Sequence, residues 1–130
     1  MKKFSKILFA MVVATSAILM TGCVTKDQAT VHVKVTTALG VAVSGETVYQ
    51  FDQTTKDVHG LTTKMFAEAT AVTDAEGVAE FSLESLDFGV DDRITLYYVT
   101  YDNKGNINGQ TAVTVKKGEN KELSLKQAAL

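Results

Sequence analysis

Apolar and polar residues alternate with a period of two along much of the chain after residue 30. Three valines from Val31 to Val35 alternate with His32, Lys34 and Thr36. Because successive side chains of a strand point to opposite faces, this period predicts half-buried strands, and no long window shows helical spacing. Seven strands are predicted, at residues 31–36, 46–51, 64–73, 78–83, 93–102, 109–117 and 121–126.

The connections between these strands are rich in turn-forming residues. Residues 74–77 and 118–120 are predicted to close hairpins, and residues 103–106 form a further reversal. Residues 52–63 form a long polar loop, which we predict to be the least constrained stretch of the chain. In the second strand, either Val48 or the pair Tyr49 and Phe51 can face inward.

These strands predict an all-β fold, because each has an apolar face that only a facing sheet can cover. The expected architecture is a seven-stranded antiparallel two-sheet sandwich over residues 31–126. Residues 127–130 are expected to be a frayed C-terminus.

Four groups of residues carry a resemblance to a known class of domain. The sequence resembles bacterial prealbumin-like and carboxypeptidase-regulatory-like (Ig-like) β-sandwich domains, in which Pro is common at the position of Ala42. The resemblance lies in turn and core positions, so it implies a fold and very little chemistry. The matching groups are Val31, Val33, Val35; Gly40, Val43, Ser44, Gly45, Thr47, Val48; Thr73 to Gly77, Ala79, Phe81; and Val113, Val115, Gly118, Leu123, Leu125.

The first 22 residues have the pattern of a secretory signal peptide. Three lysines occur in the first six positions, and residues 7–19 carry no charge. This apolar stretch is shorter than the ~20 residues that a membrane-spanning helix needs. Leu19 to Cys23 resembles the bacterial lipobox, which implies cleavage before Cys23 and palmitate or a similar acyl chain on that residue. The sequence therefore predicts a lipoprotein with a tether at residues 23–30.

Composition narrows the classes of partner. Loss of the leader with its three lysines would change the formal net charge from −2 to −5, so nucleic acid is not an expected partner. A single Cys excludes an internal disulfide and a thiolate metal cluster. We expect no cofactor. The expected membrane contact is the lipid anchor at Cys23, and two acyl chains would hold the protein firmly.

The residues after Cys23 bear on which surface of the cell envelope the protein occupies. Val24 replaces the Asp that retains enterobacterial lipoproteins at the inner membrane, and no acidic run follows Cys23. The periplasmic face of the outer membrane is therefore the expected location in a Gram-negative cell.

The strand at residues 93–102 is apolar or aromatic on both faces. Ile94, Leu96 and Tyr98 alternate with a second set, Tyr97, Val99 and Tyr101. Only one face can point into a two-sheet core. The second set is therefore either covered, for example by residues 52–63, or exposed as a recognition surface for a protein or glycan.

The remaining polar clusters give no recurring catalytic or metal-binding pattern. His59 with Asp52 and Asp57 could serve zinc, but the spacing matches no ligand motif. The acidic residues between 84 and 92 fit a solvated turn better than a calcium loop. We expect a non-enzymatic protein-contact or structural module. The alternatives are a carbohydrate- or peptide-binding module using Tyr97, Val99 and Tyr101, and a strand-exchanging, fimbria-like assembly subunit.

Overall fold

The computed structural model describes residues 28–128, in which seven strands form two stacked sheets. The strands are β1 (Ala29–Thr36), β2 (Thr47–Asp52), β3 (Ala69–Val72), β4 (Val78–Leu83), β5 (Arg93–Tyr101), β6 (Ile107–Lys116) and β7 (Asn120–Lys126). Two short helices, α1 (Gln53–His59) and α2 (Ser85–Phe88), and a 3₁₀ turn (Lys64–Phe66) lie in the connections. None of the helical segments between residues 28 and 128 has the length and apolarity required to span a bilayer.

One sheet has three strands in the order β4-β1-β7, and the other has four in the order β3-β2-β5-β6. This confirms the predicted two-sheet sandwich of seven strands. All strand pairs are antiparallel except β1 and β7, which run parallel with Val33 opposite Leu123. That pair is the exception to the antiparallel arrangement expected from the sequence.

The two predicted hairpins at residues 74–77 and 118–120 are wrong in their pairing. In both cases the flanking strands belong to different sheets, so each turn passes the chain from one layer to the other. Asp74 forms the first turn by accepting from the backbone amides of Glu76 and Val78 at 2.9 and 3.0 Å. Such a turn signal fixes a reversal of the chain, but the same reversal serves strands that pair and strands that separate.

Alternating side chains fill the space between the two sheets. All three valines of β1 are completely buried, and inward-pointing residues of the neighbouring strand β4 lie beside them in the same sheet, with Phe81 opposite Val31. Burying one such side chain stabilises the folded state by roughly 1.5–3 kcal/mol. The core is formed by Ala29, Val31, Val33, Val35, Val48, Ala79, Phe81, Leu83, Phe88, Leu96, Tyr98, Val115 and Leu125.

Several element boundaries differ from the sequence-based prediction. The predicted third strand shortens to β3, and residues 52–63, predicted to be the least constrained, contain helix α1. β1 begins at Ala29, inside the predicted tether. At the other end, the amides of Gln127 and Ala128 donate to Thr36 and Asn108 at 2.9 and 2.6 Å, so these two residues are bonded where fraying was expected. The predicted signal peptide and Cys23 lie outside the described residues.

Candidate functional site

The face of β5 that points away from the core carries an aromatic cluster. We use the name outer layer for Tyr49, Phe51, Tyr97, Val99 and Tyr101. On paired strands, Tyr49 lies opposite Val99 and Phe51 lies opposite Tyr97. The rings of Tyr49 and Tyr101 meet edge to face, with centroids 5.2 Å apart. The two candidate orientations of β2 are thus both realised, because Val48 enters the main core while Phe51 is buried in the outer layer.

The outer layer is covered by the chain that follows β2. We call residues 53–68 the cover segment. Its helix α1 is capped at the N-terminus by Asp52, whose carboxylate accepts from the amide of Thr55 at 2.7 Å, and at the C-terminus by Gly60, which has a positive φ of 75°. Both features are common at helix ends, since a side-chain acceptor satisfies a free amide and glycine adopts positive φ without strain.

Glu68 joins the two ends of the cover segment. Its carboxylate accepts from the backbone amide of Asp52 at 2.8 Å and from the hydroxyl of Thr55. Glu68 lies immediately before β3, and its own backbone amide donates to the carbonyl of Gln50 at 2.7 Å. The segment therefore leaves and re-enters the same sheet beside β2, which places it over the outer layer.

Two tyrosine hydroxyls of β5 attach the cover segment to the sheet through hydrogen bonds. Tyr97 donates to the side-chain carbonyl of Gln53 at 2.7 Å, and Tyr101 donates to the backbone carbonyl of Leu61 at 2.6 Å. Burial, with a smaller contribution from nearby Tyr49, raises the pKa of Tyr101 to about 12. The raised pKa extends to more alkaline pH the range over which the Tyr101 hydroxyl donates this hydrogen bond.

Lysine side chains border the same layer. Lys64 lies over the rings of Tyr49 and Tyr101, with its ammonium nitrogen 5.8 and 5.9 Å from their centroids. Lys56 lies 5.4 Å from the centre of Tyr97. A cation at this distance is attracted to the face of an aromatic ring, so both lysines add to the attachment of the cover segment.

The outside of the cover segment is apolar in places. Val58 is 69% exposed, Met65 79% and Phe66 39%. The ring of Phe66 stacks on His59 with centroids 3.9 Å apart and an interplanar angle of 8°, which links α1 to the 3₁₀ turn. We call Val58, His59, Met65 and Phe66 the outer patch. The strand periodicity does not predict this patch, although apolar residues within an otherwise polar stretch indicate it in the sequence.

The structure brings the predicted recognition residues together but does not leave them as an open strip. Tyr97, Val99 and Tyr101 share one face, as the alternation indicated. Val99 is fully buried, Tyr101 is 8% exposed and Tyr97 is half-buried. Of the two predicted arrangements for this face, the covered one is observed, and residues 52–63 contribute to the cover.

The acidic and imidazole groups have structural roles instead of converging on a site. Asp52 caps α1, and Asp57 accepts from the side chain of Gln53 at 2.8 Å. Glu84 and Asp87 form a reciprocal capping box at the start of α2. Between residues 28 and 128, no three His, Cys, Asp or Glu side chains are grouped as a metal ion would require.

Two stacked sheets around a shared core define this chain as a β-sandwich domain. No family model matches the chain, and no curated protein sequence matches it. Among solved structures, it is similar to the Bacillus anthracis TIE protein, with 14% identity and a TM-score of 0.46 over 80% of this chain and 17% of that one. It is also similar to 3-chlorocatechol 1,2-dioxygenase from Rhodococcus opacus, with 8% identity and a TM-score of 0.42 over 84% of this chain and 63% of that one. The chain thus spans less than two thirds of either protein.

Proposed function

We propose that this chain is a non-enzymatic lipoprotein of the bacterial cell envelope, held at the membrane by acyl chains on Cys23. The support is the lipobox-like stretch before Cys23, which follows an apolar run of the length of a signal peptide. The proposed location in a Gram-negative cell is the periplasmic face of the outer membrane.

We further propose that the domain contacts another protein through the outer patch. The observation that carries this proposal is that Val58, Met65 and Phe66 are exposed on a segment that is fixed at both ends. An apolar group held in one conformation loses little entropy on binding, and aromatic and Met side chains are enriched in protein interfaces.

The anchor is tested by growing cells that express the full chain with an alkyne-tagged fatty acid. We expect the tag to enter the wild-type polypeptide and not Cys23→Ser, because the thiol is the attachment point. The Cys23→Ser protein is expected to leave the membrane fraction. A wild-type chain without label would contradict the anchor.

The contact surface is tested by placing a photo-crosslinking amino acid at Met65 in intact cells. Leu39 is a matched control, since it is similarly exposed but lies in the loop that follows β1. We expect a discrete protein adduct at position 65 that is lost when Val58→Ser is added, and none at position 39. Equal crosslinking at both positions would contradict the proposed contact.

A carbohydrate- or peptide-binding module is the alternative outcome of the same test. Of the three candidate residues Tyr97, Val99 and Tyr101, Tyr97 is the one that is only half-buried, so it is the ring of that set that a glycan would reach. Glycan-array binding that is lost in Tyr97→Ala, with no protein adduct at position 65, would favour that alternative. A strand-exchanging subunit would instead form oligomers at high concentration in size-exclusion chromatography.

A further inference from the structure

The loop between β4 and β5 presents two apolar side chains to solvent at one end of the sandwich. Leu86 is 92% exposed and Val90 is fully exposed. Large apolar groups with this exposure add nothing to the stability of the folded chain, because they remain in water after folding. Folding stability therefore does not account for these two exposed residues, and their position in the fold bears on their function.

This loop is firmly attached to the domain. Phe88, between the two exposed residues, is buried in the main core. The capping box of Glu84 and Asp87 closes the start of α2, and the amide of Asp91 donates to the carbonyl of Phe88 at 3.1 Å. Leu86 and Val90 are thus held outward by an ordered turn.

The same end of the sandwich is the one that the N-terminal chain enters. Ala29, the first residue of β1, pairs with Leu83, the last residue of β4. The side-chain amide of Gln28 donates to the carboxylate of Glu84 at 3.0 Å, directly before α2. Cys23 lies five residues before Gln28 in the sequence, a distance that an extended chain spans in at most about 17 Å.

Acidic and basic side chains are mixed on this end. Arg93 lies 3.4 Å from the carboxylate of Asp92, and the amide of Lys117 donates to the carbonyl of Asp92 at 2.9 Å. Neither sign of charge dominates at this end. Binding of this end to a lipid surface would therefore not require anionic headgroups. The charged residues at this end include Glu84, Asp87, Asp91, Asp92, Glu119, Arg93, Lys116, Lys117 and Lys121.

We infer that Leu86 and Val90 are a second membrane contact, which enters the headgroup region and orients the domain on the lipid surface. This inference rests on the proposed acyl anchor at Cys23. The anchor would keep the N-terminal end of the sandwich within reach of the bilayer, and the two apolar side chains would gain an apolar environment there. The loop after β1, which includes Leu39, would then point away from the membrane.

The test uses the mature protein, acylated at Cys23, in phosphatidylcholine vesicles. With Cys23 acylated, Leu86→Cys and Val90→Cys each supply one free thiol for an environment-sensitive fluorophore. The matched control is Leu39→Cys, at a residue that is also 92% exposed but lies at the opposite end of β1. We expect lipid-borne nitroxides to quench the dye at least twofold more at positions 86 and 90 than at 39, with little dependence on salt.

The outcomes separate this inference from the anchor. Vesicle flotation reports the anchor alone, so a protein that does not float would contradict both proposals. A protein that floats but shows equal quenching at positions 86 and 39 would overturn only the lipid contact. The dye at position 86 could instead show a blue-shifted emission that increases with the density of protein on the vesicles, without quenching by nitroxides. That result would mean that a second copy of the chain covers this position, and it would also overturn the lipid contact.

Discussion

Tyr101 connects the outer layer to the backbone of the cover segment. Its ring packs against Tyr49, and its hydroxyl donates to the carbonyl of Leu61, which lies 40 residues earlier in the chain. The alternation in β5 predicted which face Tyr101 occupies. The hydrogen-bond partner was not predictable, because the cover segment reaches Tyr101 only when β2 and β5 pair.

The raised pKa of Tyr101 makes stability depend on pH in the alkaline range. The ordinary pKa is 10.0 and the folded value is about 12, so an unfolded chain loses this proton first as pH rises. The contribution is fully present below pH 10, and the free energy of unfolding should fall between pH 10 and about 12. Burial raises the pKa of Tyr98 as well, which adds to the same trend.

We expect Tyr101→Phe to reduce this alkaline loss of stability, since it removes one of the two phenols with a raised pKa. Urea unfolding midpoints measured from pH 8 to pH 12 would show a shallower slope than in the wild type. The variant should also be less stable at neutral pH, by roughly 0.5–1.5 kcal/mol, because the hydrogen bond to Leu61 is lost. An unchanged slope would contradict the role of Tyr101.

At the scale of elements, residues 52–63 show where the sequence-based prediction fell short. The polar composition indicated a loop, yet the structure contains a seven-residue helix with a cap at each end. A helix this short is unstable in isolation, and α1 buries none of its own residues. Its stability comes from contacts of Thr55 with Glu68 and of Gln53 with Tyr97, which the local pattern does not contain.

We expect Asp52→Ala to loosen the cover segment without unfolding the sandwich. Loss of an N-cap costs about 1 kcal/mol, which corresponds to roughly fivefold faster amide exchange in α1. Hydrogen exchange followed by mass spectrometry would measure this, with β1 peptides as the internal reference. Asp57→Ala is the control on the same helix, because Asp57 is also an acidic residue of this region but caps neither end of α1. Equal acceleration in β1 would contradict local opening.

At the scale of the whole molecule, the two sheets approach closely where β6 crosses β7. Gly109 of β6 has no room for a side chain, since a Cβ built there would lie 2.5 Å from a methyl group of Leu125 and 2.9 Å from the hydroxyl of Thr100. The amide of Ala128 bonds to Asn108 at the same place. This contact closes one side of the sandwich.

We expect Gly109→Ala to destabilise the protein by about 1–3 kcal/mol, because the added methyl group overpacks this crossing. Urea denaturation would measure the change. In the background of Leu125→Ala the same substitution should cost less, since the nearest methyl group is gone. If the destabilisations of the two single variants simply add in the double variant, Leu125 is not the residue that leaves no room for the methyl group.

The local pattern of residues was enough to predict seven strands and the turns between them, but it left open which faces of β2 and β5 enter the main core. The alternation of apolar and polar residues and the residues that permit chain reversals are local properties, so both can be recognised in the sequence without a structure. The remaining features arise from packing between distant parts of the chain. This packing assigned β3 and β4, and likewise β6 and β7, to opposite sheets, paired β1 in parallel with β7, and folded residues 53–68 over the outer layer. These features depend on how well surfaces that are far apart in the sequence pack together, and the free energy of that packing is a property of the folded chain as a whole.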